Sequence, residues 1–217
     1  MKTMKIGILG TGDVGQALGS GFVSLGHEVK MGSRDVGNEK SRAWAMKAGS
    51  RASTGTFADA AAFADLAVLA TLWSGTENVL RLAGARNLAG KVVIDATNPL
   101  VFRNNAPPAL ALGHTDSGGE QVQRWLPESR VVKCFNIVGH AHMVHPDFPG
   151  GPPDMFLCGN DADAKRTVTE ICQAFGWPVI DIGGIEGARL LEPICILWVL
   201  YGLQTSTWNH AFKLLRK

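Results

Sequence analysis

The six residues that follow the apolar run 6–9 could bind a diphosphate. Apolar side chains recur at helical spacing behind them, from Val14 to Leu25, which predicts a strand, a tight turn and a helix. In such a unit the first glycine permits the turn, the second lets a pyrophosphate approach the backbone, and the third lets the helix pack on the strand. Unpaired N–H groups at the helix start would face the phosphates. The predicted dinucleotide-binding residues are Gly10, Thr11, Gly12, Asp13, Val14 and Gly15, and the alternative is a glycine-rich turn without a ligand.

The end of the second predicted strand, 28–31, indicates which dinucleotide is bound. Ser33 and Arg34 stand there, where an NAD-specific site usually carries Asp or Glu. An acid would repel a 2′-phosphate, whereas Ser33 can donate a hydrogen bond and Arg34 can form a charge-assisted fork. We therefore expect NADP(H) rather than NAD. Asp35 is expected to point away or to cap the next helix, and the alternative for Arg34 is an ordinary surface arginine.

Three further strand ends supply candidates around the nicotinamide. In an open parallel sheet, ligands lie outside the carboxyl ends of the strands. The residues at these ends that we expect to contact the cofactor are Thr71, Leu72, Trp73, Asn98, Pro99, Ile137, Val138 and Gly139. Asn98 and Asn136 could hold the carboxamide or a substrate carbonyl, or they could simply form turns.

A histidine string follows Gly139, with His140, His142 and His145 in HxHxxH spacing. Metal ligation would need a partner cluster of Cys, Asp or Glu nearby in sequence, and there is none, so no metal site is predicted. A single histidine could instead donate a proton, and His142 is the first choice as a catalytic residue, with Asn136 as a polar contact. The spacing of the remaining residues supports no Ser-His-Asp triad and no carboxylate pair.

Charge and composition exclude several classes of partner. A formal net charge of +2 over 217 residues gives no electrostatic case for nucleic acid or a membrane, so a small molecule is expected. The N-terminus lacks a signal-peptide pattern, and the longest apolar stretch, 193–203, is too short to span a bilayer. Cysteines 134, 158, 172 and 195 lack CxxC spacing and lie in apolar segments, which predicts buried thiols in a reducing cytoplasm.

Predicted strands alternate with predicted helices along most of the chain. Strand patterns occur at 6–9, 28–31, 51–54, 66–70, 92–94, 131–135, 155–158 and 179–182. Helical patterns lie between most of them, at 42–48, 56–64, 74–82, 121–126 and 162–175. This alternation predicts an α/β fold with a doubly wound, mostly parallel Rossmann sheet in residues 1–182 and a small helical extension in 183–217.

Two segments depart from that alternation. Residues 192–212 are apolar almost all round, so a helix there cannot face water and is either buried or shared with a second subunit. We favour a homodimer contact, because a chain this short has little core left to cover such a helix. Residues 101–118 are predicted to form a long irregular loop, and loops of that length are often functional.

Several blocks resemble the family of NADPH:8-hydroxy-5-deazaflavin oxidoreductases, whose deazaflavin is coenzyme F-420. They are the glycine turn, 26–29 (GHEV), 32–34 (GSR), 91–100 (KVVIDATNPL), 131–136 (VVKCFN), 155–161 (MFLCGND) and 188–193 (ARLLEP). The resemblance implies a homodimeric Rossmann protein that transfers hydride between NADP(H) and the deazaflavin or a flavin-like acceptor.

The resemblance also implies roles for individual residues. Thr11, Ser33 and Arg34 match positions near the 2′-phosphate, residues 12–14 match the pyrophosphate turn, and residues 137–139 match the segment where the two rings stack. Two positions depart from archaeal members of the family. Leu72 stands where they tend to carry proline, and Asn38 stands near an expected lysine that Lys40 could replace.

Two other functions are compatible with these residues. One is an NADPH-dependent reductase of a small carbonyl or imine, with Asn136 or His142 as the polar contact and the 101–118 loop closing over the substrate. The other is a binding protein that senses the NADP redox state without catalysis, which the fold alone would also permit.

Overall fold

Ten strands and eight helices account for most of the regular structure in the computed structural model, which describes residues 2–104 and 106–217. The strands are β1 (Lys5–Leu9), β2 (Glu28–Ser33), β3 (Ala52–Thr56), β4 (Leu66–Leu69), β5 (Val92–Asp95), β6 (Leu100–Arg103), β7 (Ala106–Leu110), β8 (Arg130–Lys133), β9 (Met155–Gly159) and β10 (Val179–Asp181). The helices are α1 (Asp13–Ser24), α2 (Glu39–Ala48), α3 (Phe57–Phe63), α4 (Trp73–Ala83), α5 (Ala85–Leu88), α6 (Gly118–Trp125), α7 (Ala162–Ala174) and α8 (Ala188–Thr205). Short 3-10 turns span His140–His142 and Ile185–Gly187.

Eight of these strands form one sheet in the order β10-β9-β8-β5-β4-β1-β2-β3. All neighbouring strands run parallel except β8 and β9. The run β3-β2-β1-β4-β5-β8 has the order of a doubly wound dinucleotide-binding sheet, in which strands are added to one side of β1 up to β3 and to its other side from β4 onward. The predicted Rossmann fold is therefore confirmed. The carboxyl ends of β1, β2, β4, β5 and β8 meet along one edge.

The core covers both faces of this sheet. One buried cluster joins β1 and β2 to α1, α7 and the start of α8, and a second joins the opposite face to α3, α4 and α6. Ala188 and Leu191 of α8 are buried in the first of these clusters. The predicted extension 183–217 therefore shares a core with the sheet that precedes it. None of the helices in the described ranges combines the length and apolar character needed to cross a bilayer.

The loop prediction for 101–118 is wrong in its first half. β6 and β7 pair antiparallel, with Leu100 opposite Leu110, and form a separate two-stranded hairpin. Pro107 and Pro108 lie within β7, where the missing N–H donors are tolerated because both strands of a two-stranded ribbon are edges. Because proline is rare within strands, residue propensities did not predict β7.

The terminal helix is also shorter than predicted. α8 begins at Ala188 and ends at Thr205, where Ser206 adopts a left-handed conformation with φ 55°. The rest of the tail runs back along α8, so Trp208 reaches Trp198 with 5.2 Å between ring centroids. The apolar pattern of 192–212 thus arises because α8 and the tail that follows Ser206 pack against each other. The short helix α5 was not predicted.

The four cysteines are buried free thiols, as predicted. Sγ atoms of Cys134 and Cys172 lie 3.5 Å apart in the core. Burial raises the pKa of Cys158 and of Cys195 to about 12, so both remain protonated at neutral pH. These thiols act as small apolar core residues rather than as nucleophiles.

Candidate functional site

A crevice of about 880 Å³ opens at the carboxyl edge of β1, β2 and β4. Half of the eighteen residues predicted to act at the site line it: Gly10, Thr11, Gly12, Asp13, Val14, Ser33, Arg34, Thr71 and Leu72. Lys40, which the sequence offered as a replacement for an expected lysine, also lines it. Sequence reasoning did not assign the remaining lining residues to the site, namely Asp35, Asn38, Phe57, Ala70, Ser74, Gly75, Asn78, Val79, Ala96 and His140. The glycine turn, the end of β2 and the start of α4 therefore come together as the sheet topology requires.

The three glycines of the turn differ in why a side chain would or would not fit at their positions. Gly10 has φ 140°, and a Cβ there would lie 2.1 Å from the carbonyl oxygen of Ala70. A Cβ on Gly15 would lie 2.5 Å from the Gly10 oxygen, so Gly15 serves packing of α1 and does not line the crevice. Gly12 has no atom within 4 Å of its would-be Cβ, which leaves open space over the start of α1.

That open space fits a diphosphate. Gly12 is the N-cap of α1 and makes no side-chain capping bond, so the first N–H groups of the helix keep their donor capacity. A helix N-terminus with exposed donors and no side chain above it is a site for phosphate oxygens. The residues present thus fit the pyrophosphate of a dinucleotide.

The end of β2 and the first turn of α2 each bring one cation to the same crevice. Arg34 and Lys40 are exposed at its rim, and no ion pair engages either of them within residues 2–104 and 106–217. Ser33 is 3% exposed, and its hydroxyl donates to the carbonyl oxygen of Asp35. Two free cations and no acid at positions 32 and 33 fit a 2′-phosphorylated ribose.

The expectation that Asp35 caps the next helix is wrong. Asp35 is among the residues at the crevice, and its Oδ1 accepts a hydrogen bond from the N–H of Gly37 at 2.9 Å. The cap of α2 is Asn38 instead, whose Oδ1 accepts from the N–H of Ser41 at 3.0 Å. Asn38 therefore stabilises a helix start, and Lys40 is the cation that follows it into the crevice.

At the other end of the crevice, α4 begins directly after β4. Leu72 is its N-cap and is 76% exposed. Thr71 is held by a 2.9 Å hydrogen bond between its hydroxyl and that of Thr76. Trp73 does not line the crevice, because its ring stacks on Trp125 with 5.6 Å between centroids. The position of Trp73 therefore does not support the expected contact with the cofactor, and its ring packs inside the protein against another aromatic side chain.

Asn98 and Asn136 form a mutual amide pair behind the crevice. The amide nitrogen of Asn98 donates to the backbone oxygen of Asn136 at 2.8 Å, and that of Asn136 donates to Asn98 Oδ1 at 2.9 Å and to Leu191 O at 3.2 Å. Asn136 is only 3% exposed, and neither asparagine lines the crevice. The pair ties strand ends together, which is the turn-forming alternative. Pro99 likewise lies outside the lining and packs near Gly118.

Residues 137–139 lie inside the protein rather than at the crevice. Ile137 and Val138 are 2% and 7% exposed, and a Cβ on Gly139 would lie 3.0 Å from the ring of Trp198. The preceding Phe135 has φ 64°, which is unusual for a bulky residue and redirects the chain at the end of β8. That turn carries the segment away from the crevice edge.

The structure does not bring His142 to the crevice. Its ring packs on Phe148 at 4.8 Å, and its Nε2 lies 3.2 Å from Asn209 Oδ1 in the C-terminal tail. His140 lines the crevice instead. The described ranges contain no group of three His, Cys, Asp or Glu side chains arranged for a metal ion.

A buried ion network behind the crevice was not anticipated. Lys133 Nζ lies 3.0 Å from Asp95 Oδ2 and 2.9 Å from Glu192 Oε1, and all three side chains are at most 1% exposed. Lys133 also donates to the carbonyl oxygen of Thr97 at 2.6 Å. Although burial lowers the pKa of Lys133, the two carboxylates outweigh burial and raise it above its ordinary value. The signal in the sequence was a charge inside each of three otherwise apolar segments.

The remaining carboxylate oxygens of the network are also satisfied. Asp95 Oδ1 accepts from the N–H of Thr97 at 2.9 Å and from its hydroxyl at 2.7 Å. Glu192 accepts from the N–H groups of Gly118 and Gly119, each at 2.9 Å. These two N–H groups begin α6, so the positive end of that helix offsets the second negative charge. The network joins β5, β8, α6 and α8.

Comparison with known proteins shows which family this chain resembles. The profile of the family described as NADP oxidoreductase, coenzyme F420-dependent, matches residues 5–99. A protein of Arthrobacter sp. FB24, assigned as an F420-dependent NADP reductase, has a crystal structure that superposes with a TM-score of 0.92 at 39% identity, covering 98% of this chain and 100% of that one.

Two curated relatives extend the comparison. The metalloreductase STEAP3 of Rattus norvegicus is 30% identical over 88% of this chain, which spans only 36% of that relative's length. The F420-dependent NADP reductase of Methanothermobacter thermautotrophicus is 30% identical over 97% of this chain and 94% of its own. Because identity extends along nearly the whole of both chains, this protein belongs to the family of F420-dependent NADP reductases and is an NADP-dependent oxidoreductase.

Proposed function

We propose that the crevice binds NADP(H) and that the protein transfers hydride between it and coenzyme F420 or a flavin-like acceptor. The observation that carries the proposal is the pairing, in one crevice, of a bare helix start at Gly12 with two exposed cations, Arg34 directly after β2 and Lys40 in the first turn of α2. The names of the F420-dependent relatives support the choice of acceptor.

The residues of the crevice divide between three parts of the dinucleotide. The N–H groups at residues 12–14 hold the pyrophosphate, Ser33, Arg34 and Lys40 contact the phosphorylated ribose, and Thr71, Leu72 and Ala96 border the nicotinamide. Bound NADPH supplies the hydride. The protein then needs to hold donor and acceptor carbons about 3–3.5 Å apart with their faces aligned. Ring-to-ring transfer needs little acid–base help, which agrees with the position of His142 outside the crevice.

The cofactor part is tested by Arg34→Ala with dinucleotide titrations. We expect the affinity for NADPH to fall by roughly one to two orders of magnitude, because a charge-assisted bond of about 1.5–3 kcal/mol is lost. The affinity for NADH should stay nearly unchanged. Arg42→Ala is the matched control, since Arg42 is an exposed arginine of the neighbouring α2 that does not line the crevice. Equal losses for NADPH and NADH would show that Arg34 does not select the phosphate.

The acceptor part is tested by turnover. Purified protein with NADPH is assayed against coenzyme F420, against FMN and FAD, and without acceptor, following NADPH absorbance. We expect oxidation of NADPH only with the deazaflavin or a flavin. A protein that binds NADPH and reduces none of them would overturn the acceptor while leaving the cofactor proposal intact.

A second candidate function is favoured by one observation, the imidazole of His140 in the crevice lining. Reduction of a small carbonyl or imine needs a proton donor near the acceptor atom, and His140 is in a position to serve. His140→Ala separates the two functions. A large loss of turnover with unchanged NADPH binding would favour the carbonyl or imine reductase, whereas hydride transfer between rings should barely change.

We further propose a homodimer in a reducing compartment, the cytoplasm. α8 leaves apolar side chains exposed along one face, with Leu190 at 66%, Leu197 at 56% and Tyr201 at 49%. The neighbouring hairpin adds Phe102, which is 70% exposed. A contiguous apolar face of this kind is typical of a subunit contact. Sedimentation should give a dimer that Leu197→Glu converts to monomer, and a monomeric wild-type protein would contradict the proposal.

The four free thiols agree with a reducing compartment.

A further inference from the structure

We propose that Glu192 and Lys133 are positioning residues for the nicotinamide half of bound NADP(H). Together with Asp95 they fasten α8 to the turn that forms the crevice wall after β5. This inference rests on the proposed function of the crevice as the NADP(H) site. Neither residue lines the crevice, so each acts through the turn it holds.

The first step is that Lys133 has no spare donor. Its three N–H bonds are directed to Asp95 Oδ2, Glu192 Oε1 and the carbonyl oxygen of Thr97, at 3.0, 2.9 and 2.6 Å. The site is fully buried, so water does not replace a partner that is lost. The three partners must therefore keep their relative positions, because a buried charge without its partners is costly.

The second step links this geometry to the crevice. Ala96 lines the crevice wall and stands between two residues of the network, Asp95 and Thr97. The N–H of Ala96 donates to Leu69 O at 3.0 Å, and the N–H and hydroxyl of Thr97 both return to Asp95 Oδ1. The backbone of Ala96 is thus held on both sides, and Lys133 ties it to Glu192 on α8.

A second link joins α8 to the same wall. The residue before Glu192, Leu191, accepts through its carbonyl oxygen from Asn136 at 3.2 Å, and Asn136 is paired with Asn98 beyond the turn. The turn 96–99 is therefore connected to one turn of α8 by an ionic path and by an amide path. Movement of α8 would move this wall, whereas within residues 2–104 and 106–217 no hydrogen bond or ion pair of the network goes to the glycine turn or to the end of β2.

The third step is why charges stand here at all. An apolar replacement of similar volume is often as stable as a buried ion pair, or more stable, so stability alone does not account for the network. Charges with fully used hydrogen bonds impose one geometry, and a misplacement of about 1 Å at a hydride-transfer site costs roughly a hundredfold in rate. We infer that the network sets the distance between the crevice wall and the ring.

Glu192→Gln in the full chain tests the inference, because it removes the charge and keeps the shape. Three ligand readouts separate the halves of the cofactor: the Kd of adenosine 2′,5′-bisphosphate, the Kd of NADPH, and the fluorescence change of the nicotinamide on binding. We expect the first to be unchanged within about twofold, the second to weaken about tenfold and the third to diminish. With an acceptor that the wild type uses, kcat should fall about ten- to a hundredfold, with a larger isotope effect from 4-deuterated NADPH.

Two further variants keep the test decisive. Glu186→Gln removes an exposed carboxylate just before α8 and should leave every readout unchanged. Thr97→Val leaves the charges paired but removes the hydroxyl bond to Asp95, and should give the same pattern at smaller size even if Glu192→Gln fails to fold. Equal weakening of both ligands, or unchanged NADPH binding in a folded variant, would overturn the inference. Wild-type protein that binds NADPH but reduces no acceptor would defeat the proposed acceptor instead, and the ligand readouts would still decide the positioning role.

Discussion

The two ends of the crevice are built in opposite ways. The adenosine end, where the adenosine half of the cofactor is proposed to bind, uses residues that lie within one stretch of chain, 10–40, and presents backbone donors and exposed cations. Behind the opposite end, the proposed nicotinamide end, Asp95, Lys133 and Glu192 meet from three distant positions and are completely buried. The charges of the first arrangement are available to bind a ligand, whereas those of the second are paired with one another inside the protein.

This difference predicts different consequences of mutation. An exposed cation at a crevice rim contributes to ligand affinity and little to folding, since surface charges are hydrated and screened. A buried charge contributes little net stability while its partners are present, yet its partners become uncompensated when it is removed. Mutations at the adenosine end should therefore change binding, and mutations in the network should change the fold or its geometry.

The largest effect should come from Lys133→Met, which leaves two buried carboxylates facing each other without a cation. We expect the free energy of unfolding to fall by about 3–5 kcal/mol, measured by urea denaturation. The control is Lys165→Met, which breaks a partly exposed pair with Asp181 and should cost less than about 1 kcal/mol. Similar losses for the two variants would show that removing the cation of the network costs no more free energy of unfolding than breaking a surface ion pair.

The next effect contrasts two glycines of the turn. Gly10→Ala should lower the free energy of unfolding by about 3 kcal/mol, because the Cβ meets the Ala70 oxygen at 2.1 Å and φ is 140°. Gly12→Ala has room for the Cβ and ordinary φ of −77°, so it should fold normally and bind NADPH much more weakly. Thermal melts with and without NADPH measure both. Normal NADPH binding by Gly12→Ala would place the pyrophosphate elsewhere.

A smaller effect should follow pH through His27, which lies just before β2. Burial lowers its pKa below the ordinary 6.5, and its Nδ1 accepts from the N–H of Met4 at 3.0 Å. The unfolded chain then binds a proton more readily than the folded one, so stability is full above about pH 6.5 and declines as pH falls toward the lower folded pKa. Melting temperature measured between pH 7.5 and 5.5 should fall for the wild type and fall less for His27→Gln. Parallel curves would contradict the assignment.

The smallest effect should come from His142→Ala. The side chain contacts Phe148 and Asn209 and lies outside the crevice, so NADPH affinity and kcat should stay within about twofold of the wild type. His140→Ala is the comparison, because that ring does line the crevice. NADPH titrations and steady-state kinetics of both variants measure the effect. A large loss in His142→Ala alone would contradict the geometry.

The local features of the adenosine end were predictable because each depends on neighbouring residues. A glycine turn needs its φ values and its clearance within one strand–turn–helix unit, and the cation at the end of β2 is set by strand length. The same reasoning did not predict where residues 136–139 lie, which is outside the crevice lining. It assumed that the chain continues along the sheet edge, but Phe135 turns it inward with φ 64°, a conformation that a phenylalanine does not signal.

The sequence by itself determined the Rossmann fold, the glycine turn before α1 and the cation that follows β2, since hydrophobic period and glycine placement act over a few residues. Only the tertiary structure decided that His140 rather than His142 reaches the crevice, that the prolines of β7 lie in a hairpin, and that Asp95, Lys133 and Glu192 meet. The physical reason is that a partner nearly a hundred residues away in sequence is chosen by packing and desolvation, which no local pattern encodes.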